Sequence, residues 1–213
     1  MSARRWIVTM IAAPAIAAHA VPAAAGAAPW LAAGLTSGIE RPDLRLGDYQ
    51  WSTTPHGAFG ASLLAGMGRF AAGLRVSTTR TTQTIDPTTS SAVRATRIEL
   101  VGEARVAAFL GTALMLDAGG GRLHLGYSPD RVTIDTGAGP TTVDLRPIDT
   151  WTGSAGLTLR RALAGGWSAG LGCDIHRYAI DTAHREGATI VEQRQSFTNW
   201  SARFELARRF ALR

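Results

Sequence analysis

The sequence predicts an all-β protein, an eight-stranded antiparallel up-and-down barrel, and three observations carry that prediction. Apolar and polar residues alternate with period two from Pro29 to the end of the chain. The prolines after Pro29, at 42, 55, 87, 129, 140 and 147, all fall between the alternating runs, where no ladder donor is lost. The links between runs alternate strictly between short and long, as in a barrel with tight turns at one end and loops at the other.

The predicted strands cover 30–39, 57–65, 70–81, 95–108, 113–127, 150–161, 167–180 and 196–212. Tight links fall at 64–69, 109–112 and 162–166; long polar segments fall at 40–56, 82–94, 128–149 and 181–195. In the fourth strand, Ile98, Leu100, Ala104, Val106 and Ala108 share one face, while Arg97, Glu99, Glu103 and Arg105 share the other with Val101. The sixth and seventh strands repeat the pattern, Trp151, Leu157 and Leu159 opposing Thr152, Ser154, Thr158 and Arg160, and Trp167, Leu171 and Cys173 opposing Ser168, Asp174 and His176. The fifth strand, LMLDAGGGRLHLGY, changes parity near Gly119–Gly121, which predicts a bulge or kink. The last strand settles a choice between helix and strand. Helical spacing scatters Phe204, Leu206, Phe210 and Leu212 around the axis, whereas period two places all four on one face.

Composition bounds the class. The 213 residues suit one domain, with 46% hydrophobic and 18% charged residues. All 22 basic residues are arginine, dispersed along the chain with no phosphate-tracking stripe, so no nucleic-acid partner is expected. The N-terminus has a basic start with Arg4 and Arg5, a short apolar run from Trp6 to Ala18, and small residues beyond. This predicts a signal peptide over 1–25, removed by cleavage between 20 and 27, ahead of a barrel domain over 29–212. Loss of Arg4 and Arg5 lowers the formal net charge from +6 to +4. Cys173 is the sole cysteine, so no internal disulfide is available to an exported chain.

Period two does not say which face is inside, but the ends of the strands do. Aromatic residues cluster there, with Trp30, Phe70, Trp167 and Phe210 toward the short-turn end and Phe59, Tyr127, Trp151 and Trp200 toward the long-loop end. Ten residues separate Trp200 from Phe210, about 25 Å for a tilted strand, which is the height of an outer-membrane apolar band. Arg161 and Arg208, on the apolar face, lie near strand ends, sparing the roughly 2–4 kcal/mol cost of a midplane arginine. The fold expected is therefore a transmembrane β-barrel with these aromatic residues as its girdle.

With signal peptide, eight strands and loop asymmetry, the chain resembles the small bacterial outer-membrane β-barrels of the outer-membrane protein A transmembrane and opacity-protein type. Their closing strand carries an assembly signal that reads polar, x, Gly, x, x, aromatic, x, aromatic or apolar. Glu205, Ala207, Phe210 and Leu212 stand at those positions, with alanine in place of glycine and Arg213 following. The resemblance implies a monomer in the outer membrane, in contact with its lipids and inserted by the outer-membrane assembly machinery, with no cofactor.

An eight-stranded barrel has an interior that side chains fill. The residues expected inside are Arg75, Arg97, Arg105, Arg122, Arg160, Arg203 and Arg209 against Glu99, Glu103, Asp174 and Glu205, with His124 and His176 among them. Gly60, Gly73, Gly156, Gly170 and Gly172 are expected to make room for the long arginines. Confined opposite charges pair, because an unpaired one is costly in a poorly solvated lumen. A largely plugged barrel with a structural or surface-interaction role follows. The excess of basic over acidic groups leaves room for water and anions, and with it a narrow anion-permeable pore as the alternative.

An outer-membrane enzyme that modifies lipid A, a deacylase or acyltransferase, is the weaker alternative. It would need a nucleophile, a base and an orienter, and Ser168, Asp174 and His176 share one face at even spacing, as any polar lumen lining would. No catalytic residue is therefore assigned. His56, His124, His176 and His184 lack metal-ligand spacing, so no metal is expected. TTRTTQTIDPTTSSAVR, residues 78–94, is expected to project as a solvated loop.

Overall fold

The computed structural model describes residues 28–135, 139–186 and 189–212, with the backbone only for 183–186 and 189–192. The expected signal peptide over 1–25, its cleavage region and the His184 side chain lie outside the described residues. Among these residues ten strands form: β1 Trp30–Arg41, β2 His56–Met67, β3 Phe70–Asp86, β4 Thr89–Phe109, β5 Thr112–Ser128, β6 Arg131–Asp135, β7 Pro140–Asp144, β8 Ile148–Ala162, β9 Trp167–Glu186 and β10 Thr189–Ala211. Eight of them close a barrel in the order β1-β10-β9-β8-β5-β4-β3-β2, each pair antiparallel, while β6 and β7 form a separate hairpin in the β5–β8 connection. The predicted eight-stranded up-and-down barrel is the observed fold. Its last strand closes on its first, with Phe204 opposite Ser37 and Phe210 opposite Leu31.

Two of the four long segments are not loops. β3 and β4 run on to a turn at 87–88, and β9 and β10 run through most of 181–195, giving strands of 17, 21, 20 and 23 residues. The threonines that made 78–94 look like a loop are β-branched and suit a pleated strand. Asp86 closes the β3–β4 turn by accepting hydrogen bonds from the Thr88 amide at 2.7 Å and its hydroxyl at 2.8 Å. At the other end the links stay tight; in the β4–β5 turn Leu110 and Gly111 both take positive φ, 47° and 77°.

The parity change expected in β5 does not occur. Odd residues point inward from Met115 to Leu125, and Gly119–Gly121 pair regularly with both neighbouring strands. What changes is the chemistry on each side. Toward the long-loop end the inner face turns from polar to apolar, with Val93, Ala95, Leu123, Leu125, Tyr178, Ile180 and Phe197 packing on Leu46 and Trp51 from the β1–β2 connection. The outer face turns from apolar to polar at the same level, so Arg122 and His124 lie outside and exposed rather than in the lumen. The register break lies on β4, between Arg105 and Ala107, and leaves Arg105 exposed at the short-turn rim.

The β1–β2 connection is tied down across this upper core. Asp43 accepts hydrogen bonds from the Arg45 side chain at 2.6 Å and from the Thr198 amide of β10 at 2.8 Å. The Arg45 hydrogen bond, reinforced by the two backbone amides against partial burial, holds the Asp43 carboxyl down at about 2. Phe197 is fully buried there, edge-on to Tyr49 with ring centres 6.1 Å apart. Phe197→Ala should cost about 3–5 kcal/mol, read as a lower urea midpoint of the refolded barrel; an unchanged midpoint would show that this apolar cap contributes nothing.

Candidate functional site: a charged layer inside the barrel

Between the upper apolar cluster and a lower one of Trp30, Leu64, Ala71 and Val101, the lumen is filled with charge. Toward the short-turn end, Glu103 of β4 accepts from both Arg160 amino groups at 2.8 and 3.2 Å and from Arg75 at 3.5 Å, while Arg160 also reaches Glu205 at 2.9 Å. In the middle, Asp117 of β5 bridges Arg75 at 3.0 Å and Arg203 at 3.3 Å; Arg203 also contacts Asp174 directly and donates to Thr158 at 2.9 Å. Toward the long-loop end, Arg97 grips Glu40 with both amino groups, at 2.6 and 2.5 Å. Asn199 donates to Glu40 at 2.6 Å, and its side-chain oxygen accepts the Asp43 amide at 3.1 Å, linking the network to the β1–β2 connection.

Glycines admit these groups. A Cβ on Gly156 would sit 2.1 Å from the Asp174 carboxylate, and one on Gly172 would sit 2.6 Å from Thr158 Oγ1 and 3.4 Å from the Arg203 guanidinium. The inward glycine of β8 thus leaves space for Asp174 of β9, and that of β9 for Thr158 of β8 and Arg203 of β10.

Of the residues expected in the lumen, Arg75, Arg97, Glu99, Glu103, Asp174, His176, Arg203 and Glu205 are buried and Arg160 is half-buried. Arg105, Arg122, His124 and Arg209 are exposed instead. Arg209 lies at the short-turn mouth, its guanidinium 4.1 Å over the Trp30 ring. Trp30 and Tyr127 leave the expected girdle. Trp30 is an inward-facing even position of β1 and lies in the lower cluster, while Tyr127 is half-buried against the upper one, edge-on to Trp51. Phe59, Phe70, Trp151, Trp167, Trp200 and Phe210 are exposed on the outer face.

Sequence reading missed two carboxylates, Glu40 and Asp117, which are 2% and 5% exposed. Glu40 lies one residue past the predicted end of the first strand, and extending that strand at period two brings it inside. Asp117 is flanked by Leu116 and Ala118 on the apolar face, a signal that was available. With them, six carboxylates (Glu40, Glu99, Glu103, Asp117, Asp174 and Glu205) face four guanidiniums (Arg75, Arg97, Arg160 and Arg203). The balance is acidic, so the expected basic excess is corrected, and with it the electrostatic argument for an anion pore.

Ser168, Asp174 and His176 do not assemble. Ser168 pairs with Ala162 and Ala207 near the short turns, eight residues from His176 and roughly 26 Å along the strand. It is Ser201 that approaches His176, 3.4 Å from Nε2, with Glu99 3.9 Å from Nδ1. The cavity beside them, about 40 Å³, has room for a water but not for an acyl chain. Among the described residues, no three His, Cys, Asp or Glu side chains are grouped to hold a metal ion.

The chain has the fold of a small eight-stranded outer-membrane β-barrel. It is similar to the outer membrane protein AlkL solved in lipid bilayers, with a TM-score of 0.50 and 15% identity over 87% of this chain and 91% of that one. Neisserial surface protein A aligns over 87% of this chain and 99% of its own, with a TM-score of 0.49 and 10% identity. No protein-family model and no curated protein matches the sequence.

Breaking the network by removing one partner leaves a buried charge uncompensated. Arg203→Leu, which leaves Asp117 and Asp174 to share Arg75 at 3.0 and 3.8 Å, should destabilise the barrel by about 3–5 kcal/mol in urea titration, whereas Arg161→Leu on the exposed face should stay near wild type. Equal stabilities would remove the network from the account of what holds the barrel.

Proposed function

We propose that the protein is an integral outer-membrane β-barrel with a closed lumen, exported by its signal peptide, whose role is structural or exercised through its surface rather than by transport or catalysis. One observation carries the membrane reading. A belt of exposed apolar side chains runs around all eight strands, with Leu35, Leu63, Leu74, Leu100, Leu116, Leu157, Leu171 and Phe204 each 44–70% exposed. A water-soluble monomer rarely exposes a contiguous apolar patch above roughly 300–600 Å², and this belt encircles the molecule. Phe70, Trp167 and Phe210 edge it toward the short turns, and Phe59, Trp151 and Trp200 toward the long-loop end, at the places where amphipathic rings favour the membrane interface.

Closure rests on the two apolar clusters and the ion-paired layer between them. Glu40, Glu103, Asp117, Asp174 and Glu205 are each paired with a lumen arginine rather than open to a permeating ion, while Glu99 faces His176 at 3.9 Å. The closing strand presents Glu205 and Ala207 inward and Phe210 and Leu212 outward, the arrangement expected of an assembly signal read from one strand.

The purified outer-membrane fraction should contain a species that migrates faster before boiling than after; a soluble periplasmic species with no shift would overturn the membrane reading. Phe210→Ala should reduce the folded fraction more than Phe204→Ala, which removes the same ring from the same strand and face outside the signal. Equal losses would reduce Phe210 to an ordinary lipid contact.

A further inference from the structure

On the outer face, just beyond the apolar belt, β3 and β4 place two arginines directly opposite each other. The outward cross-strand pairs run Val76–Ile98, Thr78–Thr96 and Arg80–Arg94, so the face passes from apolar to hydroxyl to doubly cationic in four residues. Like charges directly opposite on a ladder repel. Among the described residues, no carboxylate lies in salt-bridge range of either guanidinium. The neighbouring strand adds to the cluster, with His124 of β5 opposite Thr96 and Arg122 opposite Ile98. His124 Nδ1 is hydrogen-bonded to Asp149 at 3.0 Å, and Arg122 lies over the exposed Trp151 ring at 5.1 Å. Arg80, Arg94, Thr96, His124, Gly126 and Ser128 line a depression of about 530 Å³ on the barrel wall.

We infer that this depression is a binding site for the phosphate group of an outer-leaflet glycolipid. The inference rests on the membrane reading above and adds a partner to it. Two guanidiniums held side by side in a ladder offer paired N–H donors to one phosphate, the geometry for which arginine is suited. Bound phosphate would also relieve their mutual repulsion. Depth selects the source. Four residues past the last apolar pair is about 10 Å along the barrel axis for a strand tilted near 40°, which is headgroup level. The long-loop end is the outward end of such a barrel, so the headgroup belongs to the outer leaflet. Arg122 and Trp151, at the level of the last apolar pair, mark the border between acyl chain and headgroup.

The test compares wild type with an R80Q/R94Q double variant, both first shown by heat-modifiable mobility to be folded. Retention of bis-phosphorylated lipid A through detergent purification is measured by native mass spectrometry. Wild type should retain it roughly tenfold or more better than the double variant, since each arginine adds attraction to an anionic headgroup; R161Q, at the opposite end of the apolar belt, should match wild type. Dephosphorylated lipid A should bind wild type and the double variant alike. Equal retention of the phosphorylated lipid by all three folded proteins would overturn the site while leaving the barrel in its membrane. Displacement by millimolar inorganic phosphate, or equal retention of a soluble polyanion such as heparin, would overturn the lipid as its source.

Discussion

Ten charged side chains, six carboxylates and four guanidiniums, are confined in a lumen that an eight-stranded barrel makes too narrow for bulk water. Most of the interior follows from that confinement. Arg75 and Arg203 each reach carboxylates on other strands, so the layer ties β3, β4, β5, β8, β9 and β10 across the barrel as well as around it. Gly156 and Gly172 are bare where Asp174 and Arg203 need volume. Asn199 spans from the charged layer to the β1–β2 connection by holding Glu40 with its amide and the Asp43 amide with its oxygen. In the proposed closed lumen the apolar clusters above and below exclude water, which strengthens the pairs within.

The outer surface obeys the complementary rule. Where the belt is apolar the inner face carries charge; where the strands continue past it, apolar groups move inside and arginines move out. No residue is inserted in β5 to achieve this. Its odd positions keep pointing inward while their chemistry passes from Asp117 to Leu123, a change of environment along a strand of constant register. The same chain is thus built as a membrane barrel over its lower part and in the manner of a soluble barrel over its upper part.

That change explains what could be read from the sequence and what could not. Alternation located all eight barrel strands, and the prolines and tight turns placed the breaks, because period two and ladder donors are local properties. Polar parity marks the lumen in the middle of the strands, at Arg97, Glu103 and Arg203. Arg122 and His124 lie outside because beyond the belt the relation between polarity and interior reverses. The Thr-rich 78–94 stretch reads as a loop for the same reason, since a strand in water needs no apolar outer face. Nearness to the strand ends suggests Trp30 and Tyr127 for the girdle, although parity puts both inside. Ser201 beside His176 needed the β9–β10 register, which no local pattern encodes.

Closure of the lumen is tested most directly by single-channel recording of the refolded protein in planar bilayers. Closure predicts a flat baseline at moderate voltage across neutral pH. A steady, reproducible conductance step on each insertion would contradict it, and anion selectivity in that current would contradict the acidic balance of the lumen as well.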